Sequence, residues 1–137
     1  MARNVAMVTI VVPEYAAGRA FYEGILGFDC LVDQDLGQGK RWVVVAPGTS
    51  GARLLLAKAS VPRQAARIGD QTGGRVAFFL ETDDFANDYA NLVRAGVHFE
   101  EAARSESYGR LAVFRDPFGN RWDLIEPARL DTARGAG

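Results

Sequence analysis

The stretch VFRDPFGNRWDLIE, residues 113–126, decides how this chain folds. Two apolar runs flank a Pro and a Gly. Asp116-Pro117-Phe118-Gly119 places Asp first, Pro second and Gly fourth, the preference of a type I turn. The runs on either side, 109–116 and 120–126, therefore read as two strands joined by a tight hairpin. Asp123 interrupts the second run, and strand alternation sets it on one face together with Ile125. A metal ligand, a contact for a small molecule and a quietly paired acid are the three roles open to it.

Working outward, VHFEEAA (97–103) reads as a further strand and RVAFFLET (75–82) as another. Between them, DDFANDYANLVRAG (83–96) carries Phe85, Tyr89, Leu92 and Val93 along one helical face. An Asp stands in front of this helix as a cap and Gly96 behind it as a terminator. The same order occurs earlier in the chain. VAMVTIVV (5–12) is an apolar, β-branched run. Ala17, Ala20, Phe21, Gly24 and Ile25 then recur at helical spacing up to Gly27. FDCLVDQDL (28–36) and RWVVVAP (41–47) are strands joined across GQGK, and ARLLLAKA (52–59) is a fourth. Gly27 and Gly96 lie 69 positions apart, and Pro47 and Pro117 lie 70 apart. An internal duplication accounts for both spacings. The expected fold class is α+β, with two tandem βαβββ modules. Module 1 is expected at 5–59, a polar linker with a helical turn or two at 60–74, and module 2 at 75–127. The tail 128–137 is small and polar and is expected to lack order or to drape on a neighbour.

Composition removes several function classes. Net charge is −1 and the pI is near 5.8, which leaves no basic footprint for nucleic acid or anionic membrane. No apolar run approaches the roughly 20 residues of a spanning helix, and the N-terminus has no signal-peptide pattern. Cys30, the one cysteine, cannot form an internal disulfide, and a cytoplasmic location is expected. There is no GxSxG elbow and no dinucleotide fingerprint. GQGK and TGGR lack P-loop spacing.

The duplicated βαβββ unit, AFYEGILGF at the end of the first helix and DPFGNRWDLIE at the end of the chain together resemble the vicinal oxygen chelate superfamily, the glyoxalase, bleomycin-resistance and extradiol-dioxygenase group. The resemblance covers about residues 5–127. It implies cupped sheets around a cleft, a homodimer, and, in metal-using members, ligands on the first and last strands of each half. The matching positions here are Met7, Ala77, one of Leu54 to Leu56, and Asp123. A divalent metal needs three or four N, O or S donors. Only Asp123 offers oxygen at a family position, so no cofactor is expected. His98, the single histidine, begins an outer strand away from these positions.

Without a metal, the resemblance implies a small-molecule cleft lined by apolar and aromatic groups with few polar ones. Alternation from Met7 and Ala77 gives an inward set of Met7, Thr9 and Val11, and of Ala77, Phe79 and Glu81. Val8, Ile10, Val12, Val76, Phe78 and Leu80 would then pack beneath the helices. Trp42, Tyr108, Phe114 and Trp122 are the further aromatics considered, their facing left open. The candidate ligand-binding residues are Met7, Thr9, Trp42, Ala77, Phe79, Glu81, Tyr108, Phe114 and Asp123. Asp123 needs a partner if it is buried, and Arg41, Arg110 and Arg115 are the arginines considered. The expected function is capture of a small, partly aromatic molecule. The alternative is a lyase, isomerase or dioxygenase with an atypical metal site, or one using Asp123 or Glu81 as base.

Overall fold

The structure is a computed structural model and describes residues 2–128. The tail beyond Ala128 therefore lies outside the described residues. The elements are β1 (Met7–Val12), α1 (Tyr15–Tyr22), β2 (Asp29–Gly37), β3 (Lys40–Ala46), β4 (Arg53–Lys58) and α2 (Pro62–Ala65). They continue as β5 (Val76–Glu81), α3 (Phe85–Arg94), β6 (His98–Phe99), β7 (Arg104–Glu106), β8 (Gly109–Arg115) and β9 (Arg121–Pro127). The chain divides into two compact units between Gln71 and Thr72.

Unit 1 is a four-stranded sheet in the order β1-β4-β3-β2, with β1 parallel to β4 and the other pairs antiparallel. Unit 2 repeats the plan as β5-β9-β8-β6, with β5 parallel to β9 and β7 also pairing β8. Each unit thus joins its first strand to its last. The α+β class and the duplicated βαβββ order are as the sequence predicts.

The helices end as their glycines require. Gly27 has φ 77° and Gly96 has φ 83°, the left-handed conformation that closes a helix. The backbone N–H of Phe28 donates to Tyr22 at 2.8 Å, and that of Val97 to Leu92 at 3.0 Å. Asp84 caps α3 by accepting from the Asn87 N–H at 3.3 Å. α1 covers the face of sheet 1 formed by Ile10, Val12, Val43, Val45, Leu54 and Leu56, all buried with Phe21, Tyr22 and Phe28. Each such side chain contributes about 1.5–3 kcal/mol through burial. In unit 2 a run of touching rings, Phe85, Tyr89, Phe99, Phe114, Trp122 and Phe78, carries the core from α3 across the sheet.

Three details differ from the sequence reading. The strand expected at 97–103 is two short ones, because between Phe99↔Phe114 and Arg104↔Leu111 the outer chain advances five residues against three on β8. That surplus breaks the ladder. Val8 is 36% exposed, so the first residue of the helix-side set escapes the cover of α1. Finally, residues 60–74 are more than a spacer. The Gln71 side chain accepts from the Val11 N–H at 2.7 Å and donates to the Thr9 carbonyl at 3.0 Å. Its amide completes the ladder on the outer edge of β1.

Candidate functional site

The hairpin that opens the sequence reading is held by Asp116. This carboxylate is 3% exposed and accepts from the backbone N–H groups of Phe118 and Asn120, each at 3.0 Å. It also accepts from Asn120 Nδ2 at 2.9 Å and Trp122 Nε1 at 3.1 Å. The Gly119 N–H donates to the Asp116 carbonyl at 3.1 Å, closing the turn. The D-P-F-G-N-x-W pattern is thus a single buried acceptor with its donors. It fixes β9, and with β9 the position of Asp123.

Asp123 lies on the face of sheet 2 away from α3. Its neighbours on β9, Trp122 and Leu124, are buried on the helix side. Phe79 on β5 and Val113 on β8 are its register partners. The Oδ1 atom is buried and has no hydrogen-bond partner among the described residues. Burial pushes the carboxyl pKa up, and the Arg104 charge offsets this in part. The expected arginine partners are engaged elsewhere. Arg110 stacks over the Phe85 ring at 4.7 Å, and Arg115 pairs with Glu100 at 2.9 Å. Arg41 pairs with Asp33 at 2.7 Å in unit 1. None of the three arginines considered as partners is therefore paired with Asp123.

The face of sheet 1 away from α1 borders a cavity of about 850 Å³. Thr9 and Val11 on β1, Leu55 and Ala57 on β4, and Trp42 on β3 line it. Leu36, Tyr15 and the α2 residue Gln64 line it too. Trp42 is 38% exposed there. The Tyr15 hydroxyl accepts from the Arg41 N–H at 3.1 Å, which fixes the ring at the wall.

The candidate residues fall into distinct places. Thr9 and Trp42 share the unit 1 cavity. Phe79 and Asp123 are side by side in unit 2, with Phe79 66% exposed. Glu81 borders a separate open hollow of about 530 Å³ with Thr82, Asp83, Glu126 and Pro127. Met7 is half-buried opposite Arg53, and Ala77 is half-buried where the β5 ladder slips register. Tyr108 is 56% exposed in the β7–β8 turn, beyond the level of Asp123. Phe114 is fully buried against Trp122 and offers a ligand no surface. Leu36, Tyr15 and Gln64 were not anticipated, because they reach the cavity from a hairpin, a helix start and the short helix α2 rather than by strand alternation. His98 is exposed. Cys30 donates to the Val32 carbonyl at 3.4 Å, and burial pushes its thiol pKa up, opposite to activation.

Among the described residues no group of three or more His, Cys, Asp or Glu is placed to hold a metal ion. At the positions that the family resemblance implies, a thioether, a methyl group and isobutyl groups accompany one carboxylate. That donor set does not fit Zn²⁺, Fe²⁺ or Ni²⁺. No helix among the described residues is long and apolar enough to cross a membrane.

Two helix-backed sheets, each joining first strand to last and leaving its other face open, define the class of duplicated βαβββ proteins. The chain belongs to the Glyoxalase/Bleomycin resistance protein/Dioxygenase superfamily, whose profile matches residues 4–124. An uncharacterized protein of Shewanella frigidimarina (strain NCIMB 400) is 44% identical over 128 residues, covering 92% of this chain and 95% of its own. The crystal structure of TnmS3, an antibiotic binding protein from Streptomyces sp. CB03234, is similar at 31% identity and TM-score 0.75, covering 93% of this chain and 98% of that one. UcmS2 is similar at 27% identity and TM-score 0.78, with coverage of 92% and 99%.

Proposed function

We propose that this protein captures a small, partly aromatic molecule on an open sheet face, without the metal that other members of the superfamily use. One observation carries the reading. The unit 1 cavity, about 850 Å³, sets the exposed Trp42 beside Leu36, Leu55 and Tyr15, with Thr9, Gln38, Lys40, Arg41, Lys58 and Gln64 also on its wall. That is the make-up of a small-molecule pocket. The similarity to an antibiotic binding protein supports it. So does the donor chemistry at the family's ligand positions, where only Asp123 carries an oxygen. Thr9 and Trp42 in unit 1 and Phe79 and Asp123 in unit 2 are the proposed contact residues, and a homodimer is the proposed working form. Isothermal titration against a panel of aromatic antibiotics tests the reading. At least one compound binds at micromolar strength or better, and Trp42→Ala weakens it about tenfold or more. Absence of heat across the panel, or stoichiometric transition metal in purified protein, ends it.

A second reading rests on Asp123 itself. A carboxyl raised by burial on an apolar face is the environment of a general base. It predicts that the protein exchanges an acidic C–H of a bound carbonyl compound with D₂O and that Asp123→Asn stops this. Unchanged exchange by NMR in the variant removes the reading.

A further inference from the structure

The open face of sheet 2 sets two features side by side that share one preference. Asp123 presents a buried, unpartnered Oδ1, and Phe79, its register partner on the next strand, presents a ring that is 66% exposed. Strand neighbours lie about 5 Å apart, so one small group can touch both. A carboxylate oxygen with no donor calls for an N–H. The face of an aromatic ring attracts a cation and gains more when water is excluded. Beside the pair on the same face, Val113 is buried and Ile125 is half-buried, both apolar. The positive charge acting on Asp123 is Arg104, and that guanidinium is already paired with Glu101 at 3.0 Å and Glu106 at 3.2 Å. Glu81, two residues beyond Phe79 on the same strand face, adds a second carboxylate.

We infer that Asp123 and Phe79 form a subsite for a protonated amine, so that the preferred ligand is an aromatic molecule bearing an ammonium group. The inference deepens the small-molecule reading above and rests on it. The ammonium donates to Asp123 Oδ1 and lies against the Phe79 ring, while the rest of the molecule covers the neighbouring apolar surface. Burial of the Asp123 carboxyl and the upward pull on its pKa are what a site lacking its counter-charge displays.

Titration of the whole chain with 1-naphthylmethylamine and its neutral counterpart 1-naphthylmethanol tests this at pH 7. The amine binds about tenfold more tightly than the alcohol, as a charge-assisted hydrogen bond requires. Asp123→Asn abolishes that preference, and Phe79→Leu weakens the amine more than the alcohol. Equal binding of the two compounds, or a preference that survives Asp123→Asn, overturns the subsite and leaves small-molecule capture standing. Binding of neither compound also overturns the subsite, and the antibiotic panel then decides the wider reading on its own. Circular dichroism of each variant confirms its fold, and Phe79→Leu carries the test if Asp123→Asn does not fold.

Discussion

At the scale of single residues, two aspartates seven positions apart do opposite things. Asp116 is satisfied on every side, and removing it orphans the buried Trp122 indole N–H and Asn120 amide. Asp116→Ala is expected to cost about 2–4 kcal/mol, read as a fall in the urea midpoint at unchanged m-value. Asp123 is unsatisfied, and its folded pKa is raised. A raised acid supports folding below its ordinary value of about 3.9 and weakens it as pH climbs through the folded value. Asp123→Asn should therefore leave stability unchanged near pH 3 and raise it at pH 7. The gain is below about 1 kcal/mol, since half-exposed charges are screened. A thermal melt series against pH gives the sign. Glu100 provides the reverse case. Hydrogen bonds and charge from Arg121, with help from Arg115, hold its carboxyl below the usual range. Its contribution is present above about pH 4.3 and lost as pH falls. Glu100→Gln should lower stability by about 0.5–1 kcal/mol at pH 7 and have no effect in strong acid.

At the scale of elements, the structure separates what pattern alone can reveal from what it cannot. Helix caps and stops were legible because Asp84, Gly27 and Gly96 act locally, through their own backbone conformation or side chain. The turn at Asp116 was legible for the same reason, but its grip on Trp122 was not, since nothing in the spacing tells a buried acceptor from an exposed one. The split of the outer strand into β6 and β7 depends on register against β8, a non-local property that composition does not encode. Gln71 is the sharpest example. It stands in a polar, glycine-rich stretch that reads as a spacer, yet its amide bonds both Thr9 and Val11, residues that line the unit 1 cavity. Gln71→Ala should cost about 1–2 kcal/mol and speed hydrogen exchange at the Val11 amide relative to Ile10. Equal protection at the two amides in both proteins would show that the edge needs no such bridge. The proposed site follows the same division: Thr9 and Phe79 follow from alternation, whereas Tyr15, Leu36 and Gln64 enter only through tertiary placement.

At the scale of the whole molecule, the two tryptophans give independent readouts. Trp42 is 38% exposed at the cavity and Trp122 is 3% exposed in the core. Acrylamide should quench only the Trp42 share of the fluorescence, and a ligand seated in the cavity should protect that share while Trp42→Phe removes the response. The pairing of first strand with last also governs how the protein is made. A nascent chain leaves the ribosome in order, so β1 waits for β4 before its parallel partner exists, and β5 waits for β9. Unit 1 can close once Lys58 and the segment up to Gln71 have emerged, whereas the rim of β5, with Phe79 facing outward, stays bare until the last strand is translated. Slow synthesis through residues 82–120 would therefore expose a sticky strand edge, and chaperones would be needed most during that interval.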